Sequence, residues 1–182
     1  MLVIITGASG QLGRELQRTA PPAWQIIAAD REQLDITDAT AVMDLVARQP
    51  PAVIINAAAY TAVDRAESEP ELAHAVNARA PAHLAAAAQA AGARLLHVST
   101  DFVFDGRQSH AYAVDDPAAP LNVYGHSKRA GEEAVLASGA DALVLRTGWV
   151  YSRFGGNFVR TMLRLLAERK QLGVVDDQIG SP

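Results

Sequence analysis

An alternation constrains this chain more than anything else in it. Runs of Val, Ile, Leu and Ala of strand length, at Leu2 to Thr6, Gln25 to Asp30, Ala52 to Asn56, Arg94 to Ser99, Ala142 to Arg146 and Leu172 to Val175, are separated by segments of helical length. Such alternation specifies βαβ units and a parallel sheet with helices on both faces. The expected fold is therefore α/β, a doubly wound parallel sheet of the Rossmann-like kind. Leu2 to Thr6 is almost unbroken Val and Ile, as a strand buried on both faces should be. Helices are expected to about Thr19, over Asp38 to Gln49, Glu71 to Ala91, Tyr124 to Ala137 and Asn157 to Lys170. Pro50 and Pro51 close the second of these and Gly92 the third. From Thr100 to Val123 neither period persists, and Gly106, Pro117 and Pro120 punctuate the segment, so a long loop is expected there. Loops of that length in a compact domain usually serve a function or are disordered.

At 182 residues the chain suits one domain, and 49% hydrophobic against 20% charged residues gives it a core to bury. Sixteen Lys and Arg against 20 Asp and Glu give a formal net charge of −4 without a basic cluster, which argues against nucleic acid as partner. The absence of cysteine removes disulfides, thiolate metal sites and a cysteine nucleophile, and makes the cytoplasm the expected compartment. Leu2 to Ile5 has no basic flank and no length to cross a bilayer, so neither export nor membrane insertion is expected. No metal site is expected, since the five histidines are scattered and His-Glu-x-x-His does not occur, and without Gly-x-Ser-x-Gly there is no serine-nucleophile elbow either. His97, in a buried strand, reads as a core histidine, and Asp176 with Asp177 as a strand end.

Gly7, Gly10 and Gly13, in Gly7-Ala8-Ser9-Gly10-Gln11-Leu12-Gly13, follow the first strand and open the first helix. Glycines in that context allow a tight turn, close approach of backbone N–H groups to a pyrophosphate, and close packing of helix on strand. The helix N-terminus adds a positive dipole end. The spacing is the GxxGxxG variant of the dinucleotide fingerprint. Asp30 ends the second strand about 20 residues on, where a carboxylate can accept from a ribose 2′-OH, which favours NADH. Arg31 beside it can pair with a 2′-phosphate, so NADPH and NADH both stay open.

Tyr124-Gly125-His126-Ser127-Lys128 puts a phenol and an ammonium four residues apart on one helical face. A neighbouring cation favours the ionised phenol and lowers its pKa, so Tyr124 can hand a proton to a carbonyl oxygen as hydride reaches the carbon. Ser99, Thr100 and Asp101 leave the fourth strand at its carboxyl end, the edge where open α/β sheets bind ligands. There the Thr100 hydroxyl can bond the same oxygen.

These motifs, together with Asn56-Ala57-Ala58-Ala59-Tyr60-Thr61-Ala62-Val63-Asp64, Ser99 to Gly106 and Arg146-Thr147-Gly148-Trp149-Val150-Tyr151, resemble in order the extended short-chain dehydrogenases, and within them the dTDP-4-dehydrorhamnose reductase family. The resemblance runs over essentially the whole chain. It implies reduction of the 4-keto group of a dTDP-4-keto-6-deoxy sugar nucleotide by NADPH or NADH. Tyr124 is then the proton donor, Lys128 its partner and ribose ligand, and Thr100 the group that orients the carbonyl. It further implies cofactor contacts at Gln11, Leu12, Asp30, Asp35, Ile36, Ala59, Tyr60 and Thr61, and sugar-nucleotide contacts at Asp101 and Trp149. It also implies a substrate domain beyond residue 182, which leaves 1–182 as the NAD(P)-binding domain, and a possible homodimer in the longer form.

Three positions depart from the family pattern. Phe102 stands where many members have Tyr, Val114 where Glu is common, and Gly148 where Ser or Ala precedes the Trp. All three are expected on the substrate side. Two other readings stay open: a sugar-nucleotide epimerase or dehydratase, against which Asp101-Phe102 lacks a second acid, and a non-catalytic regulatory subunit of the same fold, against which Thr100, Tyr124 and Lys128 are all present.

Overall fold

The structure, a computed structural model, describes residues 1–176, 178 and 180. Five strands form one all-parallel sheet: β1 (Leu2–Thr6), β2 (Gln25–Ala29), β3 (Val53–Asn56), β4 (Arg94–Thr100) and β5 (Ala142–Thr147), in the order β2-β1-β3-β4-β5. The chain leaves β1 for β2 on one side and returns to β3 on the other. The β1/β3 boundary is thus the switch point outside which open α/β sheets bind ligands.

Helices α1 (Gln11–Thr19), α2 (Ala39–Arg48), α3 (Val63–Ala66), α4 (Pro70–His74), α5 (Ala80–Ala91), α6 (Val123–Ala137) and α7 (Phe158–Glu168) complete the described fold. A π-helical turn at Ala75–Arg79 joins α4 to α5, so the expected helix over Glu71 to Ala91 is continuous but not uniform. Local chemistry sets the ends. Asp38 caps α2 by accepting from the N–H groups of Thr40 and Ala41 at 2.9 and 3.1 Å, and Asn122 caps α6 through the Gly125 N–H at 2.7 Å. Gly92 takes the left-handed conformation (φ 63°) that closes α5, its N–H reaching the Ala88 and Gln89 carbonyls.

On one face of the sheet α2, α5 and α6 enclose the main core: Ile4, Ile54, Leu84, Leu95, Val42 and Val135, with alanines of α5 keeping the helices close. On the other face Val3, Ile5 and Ile55 pack with Leu16 of α1 and with Trp24. Leu172 to Val175 does not form the sixth strand expected of it. A short apolar run becomes a strand only when a neighbour takes its backbone groups; here Val174 and Val175 are exposed and pair with no strand among the described residues. Asp176 therefore ends no strand, and Asp177 lies outside the described residues. The long segment after β4 is a loop as expected, opened by a single 3-10 turn at Asp101–Val103. Among the described residues no helix is long and apolar enough to cross a membrane, and no cluster of three or more His, Cys, Asp or Glu could hold a metal.

Candidate active site and dinucleotide cradle

The carboxyl edge brings the sequence motifs together. At Gly7 the backbone turns sharply (φ 68°), and a Cβ there would lie 2.6 Å from the Ala58 backbone nitrogen across the switch point. A side chain at Gly13 would collide with the Gly7 carbonyl. Glycine is therefore required at both positions, once for conformation and once for helix-on-loop contact. Gly10 caps α1 without a side chain, so no capping side chain bonds the N–H groups of the first turn, which holds Gln11, Leu12 and Gly13, while Asn157 donates to the Gln11 side chain at 2.9 Å. That leaves a helix N-terminus open to an anion.

Beside the loop is a depression of about 260 Å³ lined by Ala8, Ser9, Arg14, Gln17, Ala28, Asp30 and Gln33. Asp30 Oδ1 accepts from the N–H groups of Glu32 (3.0 Å) and Gln33 (3.3 Å), a local turn that orients its carboxylate. Arg31 is exposed, whereas Arg14, which was not singled out in the sequence, lines the depression. Asp35 Oδ1 is held by the Thr37 N–H and hydroxyl at 2.9 and 2.7 Å, and these bonds hold its carboxyl below the usual range. Ile36 is 8% exposed and belongs to the core, so only its backbone is available to a ligand.

Thr100, Tyr124 and Lys128 converge where β4 meets α6. The Thr100 hydroxyl lies near enough to the phenol of Tyr124 to favour its ionised form, and the ring of Phe102 stands edge-on to it at 5.6 Å. Lys128 is 1% exposed and donates to the Val98 carbonyl at 2.7 Å. The expected lowering of the Tyr124 pKa is not found in this arrangement. Burial pushes the phenol up, the Thr100 hydroxyl only partly opposes that, and Asp101's carboxylate pushes the same way as burial. Burial pushes Lys128 down, to about 8. Sequence spacing showed the cation but not the dry wall around it.

Several supporting residues carry no sequence motif. Asn77, 1% exposed at the centre of the π-turn, accepts from the Tyr60 N–H (2.8 Å) and donates to the Tyr60 carbonyl and the Ser127 hydroxyl (both 3.0 Å). Ser127 in turn donates to the Tyr124 carbonyl at 2.7 Å. One amide thus ties the Ala59–Thr61 loop to the helix that carries Tyr124, and a π-turn at such a site fits the general association of these turns with function. A polar residue in an alanine-rich helix was the available signal. The Tyr60 hydroxyl donates to Glu69 at 2.6 Å, and Thr61 is exposed. One row below the edge, Thr6 donates to Asn56 Oδ1 (2.7 Å), and Asn56 pairs with His97 Nδ1 (2.9 Å). His97 is a core histidine as expected, kept neutral to about 3 by burial and then by the Lys128 charge, but its Nε2 has no partner among the described residues.

On the expected sugar side, Asp101 accepts from the Thr100 hydroxyl at 3.1 Å, and its carboxylate fills the space that a side chain at Gly148 would need. Trp149 follows Gly148 and is 41% exposed. With φ 51° it turns toward Phe158 (6.2 Å, edge-on) and lines an apolar hollow of about 440 Å³ with Val150, Tyr151 and Val159. Val114 is 95% exposed.

A parallel sheet with a glycine cradle at its switch point, and a Thr, Tyr and Lys trio at the same edge, defines the Rossmann-like dinucleotide-binding class. The chain belongs to the family described as RmlD substrate binding domain, whose model matches residues 1–182. It is 51% identical over 181 residues to a dTDP-4-dehydrorhamnose reductase of Streptomyces griseus, covering 98% of this chain and 60% of that protein. A crystal structure of the Bacillus anthracis dTDP-4-dehydrorhamnose reductase in complex with NADP superposes with TM-score 0.98 at 46% identity, covering 100% of this chain and 65% of that one. The Clostridium acetobutylicum reductase gives TM-score 0.97 at 42% identity with the same coverage. The chain spans about three fifths of the length of the curated relatives it matches.

Proposed function

We propose that residues 1–182 form the NAD(P)-binding unit of a reductase that reduces the 4-keto group of a dTDP-4-keto-6-deoxy sugar nucleotide. The observation that carries this reading is the convergence of Thr100, Tyr124 and Lys128 at the carboxyl edge beside a cradle where glycine alone fits. The relatives named as dTDP-4-dehydrorhamnose reductases supply the sugar. In this reading Gly7, Gly10, Gln11, Leu12 and Gly13 hold the pyrophosphate, Asp30 and Arg14 flank the adenosine ribose, and Ala59 to Thr61 border the nicotinamide side. The cofactor supplies hydride when bound. Thr100 holds the carbonyl oxygen, Tyr124 donates its phenolic proton to that oxygen, and Lys128 offers its ammonium to the phenolate that results. Asp101 lies beside Thr100 at the sugar end.

The raised Tyr124 pKa fits this order of events: the phenol stays protonated until an acceptor oxygen arrives. NADPH and NADH both fit, since Asp30 can serve a 2′-OH and Arg14 a 2′-phosphate. An acidic net charge and a soluble sugar-nucleotide substrate support a cytoplasmic enzyme without nucleic-acid partners.

The test is the fall in NAD(P)H absorbance with dTDP-4-dehydro-6-deoxy-L-mannose, using the full natural protein that carries this chain. Tyr124→Phe should cut turnover by about 10²- to 10⁴-fold and leave cofactor affinity unchanged. Turnover that survives in this variant, or no turnover by a protein that binds NADPH, rejects the assignment.

A further inference from the structure

A buried ion group behind α6 takes no part in the chemistry above. Glu132, one turn beyond Lys128 on the same helix, is fully buried. Its two oxygens accept from Arg146 Nε (2.9 Å) and Nη2 (2.7 Å) in a fork, and Oε2 also accepts from Arg129 at 3.1 Å. Arg146 rises from β5, lies over the Phe104 ring at 4.9 Å and donates to the Val114 carbonyl at 3.4 Å. Phe104 stacks on Tyr112 at 4.2 Å, and the Tyr112 hydroxyl donates to Asp105 at 2.8 Å. Glu132 is therefore the point where α6, β5 and the loop after Thr100 meet.

A buried ion pair is a poor way to gain stability, because well-packed apolar residues of similar volume usually do as well or better. Its neighbour gives it another use. Without Glu132, Arg146 would lose its carboxylate partner and Lys128 the nearby anion that raises its proton affinity, while Arg129 would keep Glu133 at 2.9 Å.

We propose that Glu132 is a positioning residue for the Tyr124–Lys128 pair: fixed in the Arg146 fork, it holds an anionic oxygen one helical turn behind the Lys128 ammonium and couples that charge to the Phe104–Tyr112 loop. The inference rests on the assignment of Lys128 to the reacting pair.

The surroundings agree. Lys128 is faced from β4 by neutral His97 and the Val98 carbonyl, from α6 by Glu132, and from β5 by Arg146 through Glu132, with Tyr124 one helical turn before it. On the helix and turn packed against the far flank, His83 is held at the Ile36 carbonyl and Arg79 pairs with Glu71 at the surface. Burial lowers the proton affinity of Lys128 and Glu132 raises it. Glu132 stays ionised because Arg146 and Arg129 outweigh the burial that opposes its charge.

The sequence provides a direct readout, since Lys128 and Lys170 are its only lysines. In the chain labelled with [13Cε]-lysine, Lys128→Arg assigns the two resonances, and the pH titration of the Lys128 signal reports its charge. Glu132→Gln should move that midpoint down by about one pH unit, a tenfold loss of proton affinity. The charge-balanced double variant Glu132→Gln with Arg146→Gln should show the same direction if the single variant does not fold. A merely structural glutamate would lower the urea midpoint and leave the lysine titration in place. An unmoved Lys128 midpoint in either folded variant, or a midpoint already below about 7 in the unsubstituted chain, overturns the proposal. Turnover does not enter this measurement. A shifted lysine with no NAD(P)H oxidation by the full protein would therefore reject the reductase assignment alone.

Discussion

The two faces of the sheet are built differently. Under α2, α5 and α6 the packing is closed: Leu84, Leu95, Val42 and Val135 are at most 1% exposed, and the polar groups buried there, Asn77, His97, Lys128 and Glu132, are nearly all held by hydrogen bonds. The opposite face is closed only near β1 and β3. Toward β5 it opens, with Leu143 and Leu145 about half exposed, and α7 buries none of its residues although Phe158, Val159, Leu163 and Leu166 make one side of it apolar. Every side chain whose proton matters to the proposed reaction stands against the closed face or its edge, while Trp149, expected at the sugar, stands on the open one. Proton affinities can be set only where water is excluded and neighbours are fixed. Recognition of a sugar has no such need.

That contrast can be broken by paired substitutions. Leu84→Ala should lower unfolding free energy by about 2–5 kcal/mol, and Leu163→Ala on α7 by less than about 0.5 kcal/mol. Urea unfolding of the two variants is the check, and similar losses would mean that the faces do not differ in packing. Gly131 sharpens the same point, because a Cβ there would strike the Asn77 carbonyl. Gly131→Ala should cost about 1–3 kcal/mol by overpacking, where Gly156→Ala, with open space around it, should not.

A smaller effect concerns acid. His97 is buried neutral with its pKa pushed down to about 3 from an ordinary 6.5. Between those values the unfolded chain takes up a proton that the folded chain refuses. The stability linked to His97 is therefore complete above pH 6.5 and is lost as pH falls toward 3. Urea midpoints from pH 7 to 4 should fall less steeply in His97→Asn than in the parent, and parallel curves would show that His97 is not held neutral.

Much of this was legible in the sequence. The Val and Ile runs, the glycine loop and the Tyr124 and Lys128 spacing are local patterns, and each strand from β1 to β5 was placed to within a residue or so. The sixth strand failed because an apolar run cannot say whether a partner is beside it. Tyr124 was expected to be acidified because its cation is four residues away in sequence, while the burial that outweighs it comes from elements far along the chain. Glu132, and the pairing of Arg146 with it, have no signal in the sequence for the same reason: their fork joins a helix to an edge strand, and Arg146 stood out only as part of a motif. Of the residues expected at cofactor and sugar, Ile36 lies in the core and Trp149 stands against Phe158, positions that depend on helices packed far along the chain and that no local pattern shows.

The π-turn at Ala75–Arg79 also bears on how this segment tolerates change. Its α5 flank is largely alanine, which most substitutions could replace at modest cost where exposed. Length is another matter. Deleting one residue there would restore regular α winding and leave α4 and α5 near their present phase, because a π-turn rotates the chain about as far as an α-turn one residue shorter, but it would carry Asn77 off the bulge and away from Tyr60 or from Ser127. In a library of variants this stretch should accept many exchanges and almost no single-residue deletions.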